Sequence, residues 1–393
     1  MRPTLQQLRQ RAQSLLHRIV EAAHRLLEAL RARLPWGQPP QEPQATAAPP
    51  VEPPPQAPRE LPPPEPPPPE AASPAAPPRG QGHFDAGYFN HREGDRHYRL
   101  FVPPAMPERT LHPLLVMLHG CKQHAEDFAA GTQMNALARE LGLYVLYPEQ
   151  PRSANMLRCW NWFKRRHQQR DSGEPAVLAD LTREVMAEHP IDRRRVYVAG
   201  LSAGGAMAAI LGHAYPDLFA AVGVHSGVPR GAAHDVASAV SAMKDAGASD
   251  HPWAHESFRH GGRPAAGEAP LPRVPTIVFH GDLDTTVHPR NAELVLQAAL
   301  AGGDATVLPL AATETGLSAH GLRYTRTVYR GAADGPALAE HWLVHGVGHA
   351  WSGGHATGSF TGPDGPDASR EMWRFFEAHT LPSTAPAEVV ETT

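Results

Sequence analysis

Ser202 stands between glycines in Gly200-Leu201-Ser202-Ala203-Gly204-Gly205, directly after the β-branched run Val196-Tyr197-Val198. A serine hydroxyl is a poor nucleophile unless an imidazole takes its proton and a carboxylate holds that imidazole in the right tautomer. The spacing Gly-x-Ser-x-Gly, with a strand before it and an Ala/Gly-rich helical stretch after it, is the context in which a serine is lifted above the end of a sheet. The small neighbours Gly200, Ala203, Gly204 and Gly205 permit the sharp turn. The helix N-terminus beneath the serine offers free N–H groups to a developing oxyanion. Without partners the same pattern is only a strand-to-helix turn.

The partners are found where other apolar runs end. His119-Gly120-Cys121-Lys122-Gln123 follows Leu114–Leu118, and His280-Gly281-Asp282-Leu283-Asp284-Thr285-Thr286-Val287 follows Thr276–Phe279. Gly346-Val347-Gly348-His349-Ala350-Trp351 follows His341–Val344. The order serine, acid, histidine is that of the α/β-hydrolase fold. Both Asp282 and Asp284 follow their strand; Asp284, in Asp-x-x-Val, is the better acid, and Asp282 is left to bond turn amides. His225 also ends a strand and is read as a cleft-lining or core residue, whereas His349 comes last and is carried by glycines, as a general base needs. The oxyanion hole is expected from the N–H groups of Ala203 and Cys121, with Gly120 behind. Gln123, Trp160, Trp162 and Trp351 are candidates for substrate contact, although tryptophans more often serve the core.

These residues need elements to hold them. Strands are expected at Tyr98–Val102, Leu114–Leu118, Tyr144–Tyr147, Val196–Val198, Ala221–Val224, Thr276–Phe279, Tyr324–Tyr329 and His341–Val344. Helices are expected at Asp127–Glu140, Ala176–Glu188, after Ser202, at Asn291–Leu300 and at Ser369–His379, with a loop-rich excursion after Val224. The alternation predicts an α/β fold with a mostly parallel sheet and helices on both faces. In such sheets ligands bind beyond the carboxyl ends of the strands, where the motifs lie.

Composition divides the rest. Residues 1–34 repeat leucine at helical spacing with arginines off the stripe, an amphipathic basic helix suited to an anionic or hydrophobic surface or to a partner helix. It has neither the uninterrupted apolar stretch nor the small-residue cleavage site of a signal peptide. Residues 35–81 form a Pro-rich linker, whose 20 prolines between 35 and 79 preclude a packed core. The catalytic domain is expected at 82–380 and a disordered tail at 381–393. The net charge of −4 gives no field for nucleic acid, and no apolar run is long enough to span a bilayer. His345 and His349 are four apart in a Gly-rich segment rather than on a helix, so no metal site is expected, and the serine chemistry calls for no cofactor. With two cysteines, Cys121 and Cys159, the chain can form at most one bridge, and spacing alone leaves that open.

Together with Arg158-Cys159-Trp160-Asn161-Trp162, the motifs at His119–Gln123, Gly200–Gly205, His280–Val287 and Gly348–Trp351 resemble the polyhydroxybutyrate depolymerase family of esterases, type 1 catalytic domain, from about residue 84 to 379. The relatives of that domain include feruloyl and acetylxylan esterases. The resemblance implies Ser202, Asp284 and His349 as triad, Cys121 and Ala203 as oxyanion donors, and a Cys121–Cys159 disulfide. It implies a serine esterase acting on short-chain esters such as poly(3-hydroxybutyrate) or its oligomers, with a feruloyl or acetylxylan-type esterase as alternative. A surface-binding protein with an inert hydrolase body is the reading from another class. Family resemblance points to the extracellular space; the lack of a recognisable leader points instead to a cytoplasmic, granule-associated protein.

Overall fold

The central strands are apolar on both sides, and this dictates a sheet covered on both faces. In the computed structural model, which describes residues 80–105, 111–246, 273–301 and 310–383, β3 (His112–Leu118), β4 (Tyr144–Pro148), β6 (Ala221–His225) and β7 (Thr276–Gly281) are buried throughout. Leu114, Val116 and Leu118 of β3 face one core while Leu115 and Met117 face the other, the two-residue alternation of a strand between two layers. One core is closed by α3 (Gly173–Glu188), α4 (Ala203–Ala214) and α6 (Arg290–Leu300). The other is closed by α1 (Ala125–Thr132), α2 (Met134–Leu141) and α7 (Ala368–Glu377).

The remaining strands of the main sheet are β1 (His83–Phe89), β2 (Arg96–Val102), β5 (Ile191–Leu201), β8 (Leu310–Leu317), β9 (Arg323–Arg330) and β10 (Ala337–Val344). Their spatial order is β1-β2-β4-β3-β5-β6-β7-β10-β9-β8. From β4 to β10 the pairings are parallel, and the outer pairs β1–β2, β2–β4, β10–β9 and β9–β8 are antiparallel. A short parallel pair, β11 (Trp351–Ser352) and β12 (Thr361–Gly362), follows His349. The mostly parallel sheet with helices on both faces is therefore present.

Several elements differ from the sequence expectation. The single helix expected over Asp127–Glu140 is two, because Gln133 takes a left-handed conformation (φ 54°) that caps α1 and starts α2. The bend lets Gly131 pack against Gly358 of the loop between β11 and β12. The excursion after β6 contains α5 (Val236–Asp245), opened by a reciprocal cap between Asp235 and Ser238. Strands β1 and β8 went unforeseen; β8 is an edge strand with every residue exposed except Gly316, so it lacks the inward-facing apolar alternation that announces a strand. The expected helix over 1–34, the linker up to residue 79 and the tail from 384 lie outside the described residues. Among the described residues no helix is long and apolar enough to cross a membrane.

Candidate active site

Ends of neighbouring strands build the site, in the spatial order β3, β5, β6, β7, β10. Ser202 caps α4 with φ 58° and ψ −118°, a strained backbone for a residue with a Cβ. Its N–H donates to the carbonyl of His225 at the end of β6 (2.8 Å), which holds the turn against the next strand. A Cβ on Gly204 would run into the carbonyl of Leu118, so only glycine lets the start of α4 approach the end of β3 this closely. That approach sets the Ala203 N–H, at the first helical position where no intrahelical acceptor exists, beside the turn after β3.

In that turn the amides around Cys121 are committed. Gly120 N–H donates to Gln123 Oε1 (2.9 Å), Lys122 N–H to Leu157 O (2.7 Å) and Gln123 N–H to Gly120 O (3.3 Å). The Cys121 N–H donates to no acceptor among the described residues. The Cys121–Cys159 disulfide is present and ties this turn to the loop after β4. The neighbours of Cys159 complete the brace. Trp160 Nε1–H donates to the His119 carbonyl (3.0 Å), while the Asn161 backbone and side chain donate to the buried carboxylate of Glu174 (2.7 and 2.6 Å). Burial alone would push the Glu174 carboxyl up; hydrogen bonds from His167, Gln150 and Asn161 hold it below the usual range. His119 is wholly enclosed, and burial pushes its imidazole down to about 4. Its Nδ1–H donates to the Gly120 carbonyl (2.8 Å), leaving Nε2 to accept the Gln150 N–H (3.1 Å).

On the other side, Asp284 Oδ2 lies 2.7 Å from His349 Nδ1, and Oδ1 accepts the N–H groups of Thr286 and Val287, each at 2.8 Å. Burial alone would raise the Asp284 carboxyl; hydrogen bonds from His280 and His349, the charge of His349 and the Val287 amide hold it far below the ordinary carboxylate range. Asp282 takes a different part. Its Oδ2 meets His345 Nδ1 (2.9 Å) and its Oδ1 accepts the Gly346 N–H (2.7 Å), so it fastens the acid loop to the histidine loop. The Leu283 N–H donating to Val347 O (3.0 Å) fastens them again. Ser202 Oγ and His349 Nε2 make no hydrogen bond among the described residues, either with each other or with a further side chain.

The structure thus pairs Asp284 with His349, and sets Ser202, Cys121 and Ala203 at the same end of the sheet. The expected substrate contacts need correction. Gln123, Trp160, Trp162 and Trp351 are between 0 and 5 % exposed and serve the interior. Gln123 donates from Nε2 to Asp127 and Ser359 (both 3.0 Å), and Trp351 stacks on His225 while donating to Ser369 Oγ (3.1 Å). Exposed apolar side chains on the loops around the site include Met156, Leu157, Leu283 and Phe360. Sequence reading missed His280, whose Nε2 lies 3.4 Å from Asp284 Oδ2, and Glu174. The i,i+4 spacing of His280 and Asp284 was the available signal for the first; nothing in sequence joined Glu174 to Asn161.

A strained serine turn, free amides beside it and an Asp–His pair on neighbouring strands define an esterase-type domain of the α/β-hydrolase class. Residues 96–307 match the family model described as Esterase PHB depolymerase, and the chain belongs to that family. It is 33% identical over 249 residues to poly(3-hydroxyalkanoate) depolymerase C of Paucimonas lemoignei, covering 63% of this chain and 56% of that protein. It is 30% identical over 207 residues to feruloyl esterase B of Thermothelomyces thermophilus, covering 50% and 67%. With a probable acetylxylan esterase A of Aspergillus fumigatus it shares 28% over 182 residues, 45% and 48%. The chain spans about half the length of the first of these relatives and of the last. Among solved structures, an acetyl xylan esterase from Aspergillus awamori superposes with a TM-score of 0.54 at 20% identity, covering 76% of this chain and 100% of that one, a likeness of fold.

Proposed function

We propose that the protein is a serine esterase that cleaves short-chain carboxylic esters through an acyl-enzyme. His349 takes the proton of Ser202 as its oxygen attacks the ester carbonyl, and Asp284 keeps the imidazole oriented and balances its charge. The N–H groups of Cys121 and Ala203 receive the tetrahedral oxyanion. The alcohol leaves with the proton from His349, and water repeats the sequence to release the acid. The observation that carries this reading is the 2.7 Å contact between His349 Nδ1 and the buried Asp284 carboxylate, which turns Nε2 outward as a base. Ser202→Ala tests it: turnover of p-nitrophenyl butyrate falls by about 10⁴ or more while the fold is kept. A variant retaining most of its activity ends the proposal.

For substrate, feruloyl- and acetylxylan-type esters stand ahead, because both classes recur among the relatives and the acetyl xylan esterase fold is matched over its whole length. The 33% identity to a polyhydroxyalkanoate depolymerase supports the second reading, hydrolysis of hydroxybutyrate oligomers. Rates on methyl ferulate, acetylated xylan and hydroxybutyrate oligomers, measured side by side, decide between them. The disulfide supports action in an oxidising compartment, outside the cell. An N-terminal tether to a granule or membrane is part of the depolymerase reading. A chain lacking residues 1–81 that binds granules as well as the full chain removes that part.

A further inference from the structure

His280 is the next-to-last residue of β7 and wholly buried. Its Nε2 lies 2.8 Å from the Val287 carbonyl and 3.4 Å from Asp284 Oδ2. A carbonyl oxygen only accepts, so Nε2 carries the hydrogen and donates it to Val287 O, with Asp284 Oδ2 alongside at 3.4 Å, near enough to feel the same polar N–H. Its Nδ1 is buried and makes no hydrogen bond among the described residues. Every polar contact of this enclosed ring therefore falls on the segment from Asp284 to Val287. A buried imidazole with one nitrogen unpaired is costly, and only the acid loop returns that cost.

On the receiving side, the backbone N–H groups of Thr286 and Val287 occupy Asp284 Oδ1, while the His349 and His280 imidazoles meet on Oδ2 at 2.7 and 3.4 Å. The other titratable groups facing this cluster are accounted for. His341 of β10 is pushed down to about 4 by burial, and burial holds His225 at the end of β6 well below its ordinary value, so neither brings charge near neutrality. Asp282 and His345 satisfy each other on the outer side, Lys244 of α5 is bound to the Thr285 carbonyl, and His288 Nδ1 accepts the Arg290 N–H.

We propose that His280 is a positioning residue for the reaction. By sharing Asp284 Oδ2 with His349 it tempers the hold of the carboxylate on that imidazole, and so sets the pH above which His349 accepts the serine proton. This rests on the Ser202–His349–Asp284 reading above. A polar N–H beside a carboxylate oxygen draws on its charge and weakens it toward a second donor, so the His280 N–H lessens the pull of Asp284 on the His349 imidazole.

The test is the pH dependence of kcat/KM on p-nitrophenyl butyrate, whose acidic limb follows proton uptake by the general base. His280→Leu leaves Oδ2 to His349 alone, and the limb moves to higher pH by about half a unit or more, roughly threefold in rate on the limb. His280→Gln restores an N–H donor and brings the limb back toward the wild-type position. His280→Met, whose flexible chain fills the same space, repeats the donor-free measurement should the leucine variant fold poorly. A limb unmoved in the donor-free variants overturns the proposal, as does a glutamine variant that behaves like leucine. A purely structural role lowers the plateau without moving the limb. Ser202→Ala separates the two levels. Activity surviving in it defeats the triad itself, whereas an inactive Ser202→Ala beside an unmoved limb defeats only the role of His280.

Discussion

His225 Nε2 accepts the backbone N–H of Ser352 at 2.9 Å. The same histidine receives the Ser202 N–H on its carbonyl and stacks on Trp351 with ring centroids 5.1 Å apart. It therefore joins the serine turn to the segment that carries His349. Burial holds its imidazole well below the usual range, so Nε2 stays an acceptor through the neutral range.

Replacing that ring should loosen both loops at once. His225→Ala leaves the buried Ser352 N–H unpaired and a void beneath Trp351, a loss of about 2 to 4 kcal/mol in denaturant unfolding. Turnover should fall by about tenfold or more, with a matching slowing of Ser202 labelling by a fluorophosphonate. Wild-type labelling in this variant would show that the histidine loop is held by other contacts.

The two aspartates after β7 should behave differently. Asp284→Asn presents an amide to His349 and favours the wrong tautomer, so kcat should drop by about 10⁴ with little change in KM. Asp282→Asn keeps its one oxygen for the Gly346 N–H and loses the charge and the acceptor facing His345, in a partly exposed pair whose imidazole can switch tautomer to accept from the amide. Its cost should stay within about tenfold in kcat, at most about 1.4 kcal/mol. Equal losses in the two variants would reverse their assigned parts.

The bridge between Cys121 and Cys159 closes a sequence separation of 38, which in the chain-entropy account constrains the unfolded state by about 4 kcal/mol. In a domain of this size that corresponds to a Tm lower by about 10 °C in the Cys121→Ser, Cys159→Ser double variant. Activity measured well below that Tm should fall further than the folded fraction, because the Cys121 N–H is a proposed oxyanion donor. Thermal scans and initial rates on the same preparation check both halves.

Acid should weaken the fold before it protonates most carboxylates. His119 is held at about 4, below the ordinary 6.5, and burial holds His225 well below its ordinary value too, so over the pH range between about 6.5 and 4 the unfolded chain binds protons that the folded chain refuses. Stability is full above about 6.5 and is lost as pH falls toward about 4, at up to about 1.4 kcal/mol per pH unit for each of these histidines. Unfolding midpoints in urea from pH 8 to 4.5 should decline mainly below 6.5. A flat profile across that window would mean the rings are hydrated in the fold.

Where sequence spoke clearly, local chemistry was the cause. The Gly-x-Ser-x-Gly turn, the apolar runs of β3 to β7 and the polar residues at their ends mark themselves, because a strand buried on both faces admits little else. The helix break at Gln133 was hidden, since nothing in Thr132-Gln133-Met134 forbids a continuing helix; the bend follows from packing against the later loop at Gly358. The tryptophans misled because composition cannot say which way a large ring faces. Trp160 and Trp351 turn inward to donate their N–H groups to His119 and Ser369. His280 was passed over for the opposite reason: its partner is near in sequence, but its enclosure is set by β10 and α6.

The proposed acid and base stand 65 positions apart in the chain, yet β7 and β10 run side by side in parallel from Thr276 beside Ala339 to Gly281 beside Val344. The stretch connecting them includes α6 and the outlying ribbon β8–β9, which turns near Gly321 at the rim of the sheet. That turn nevertheless lies at the catalytic end of the sheet, because Tyr324 pairs with Val344, the Arg323 carbonyl accepts the His345 N–H and Ser318 Oγ donates to the Asp364 carbonyl, so a change of register in the ribbon would be passed directly to the loop that carries His349.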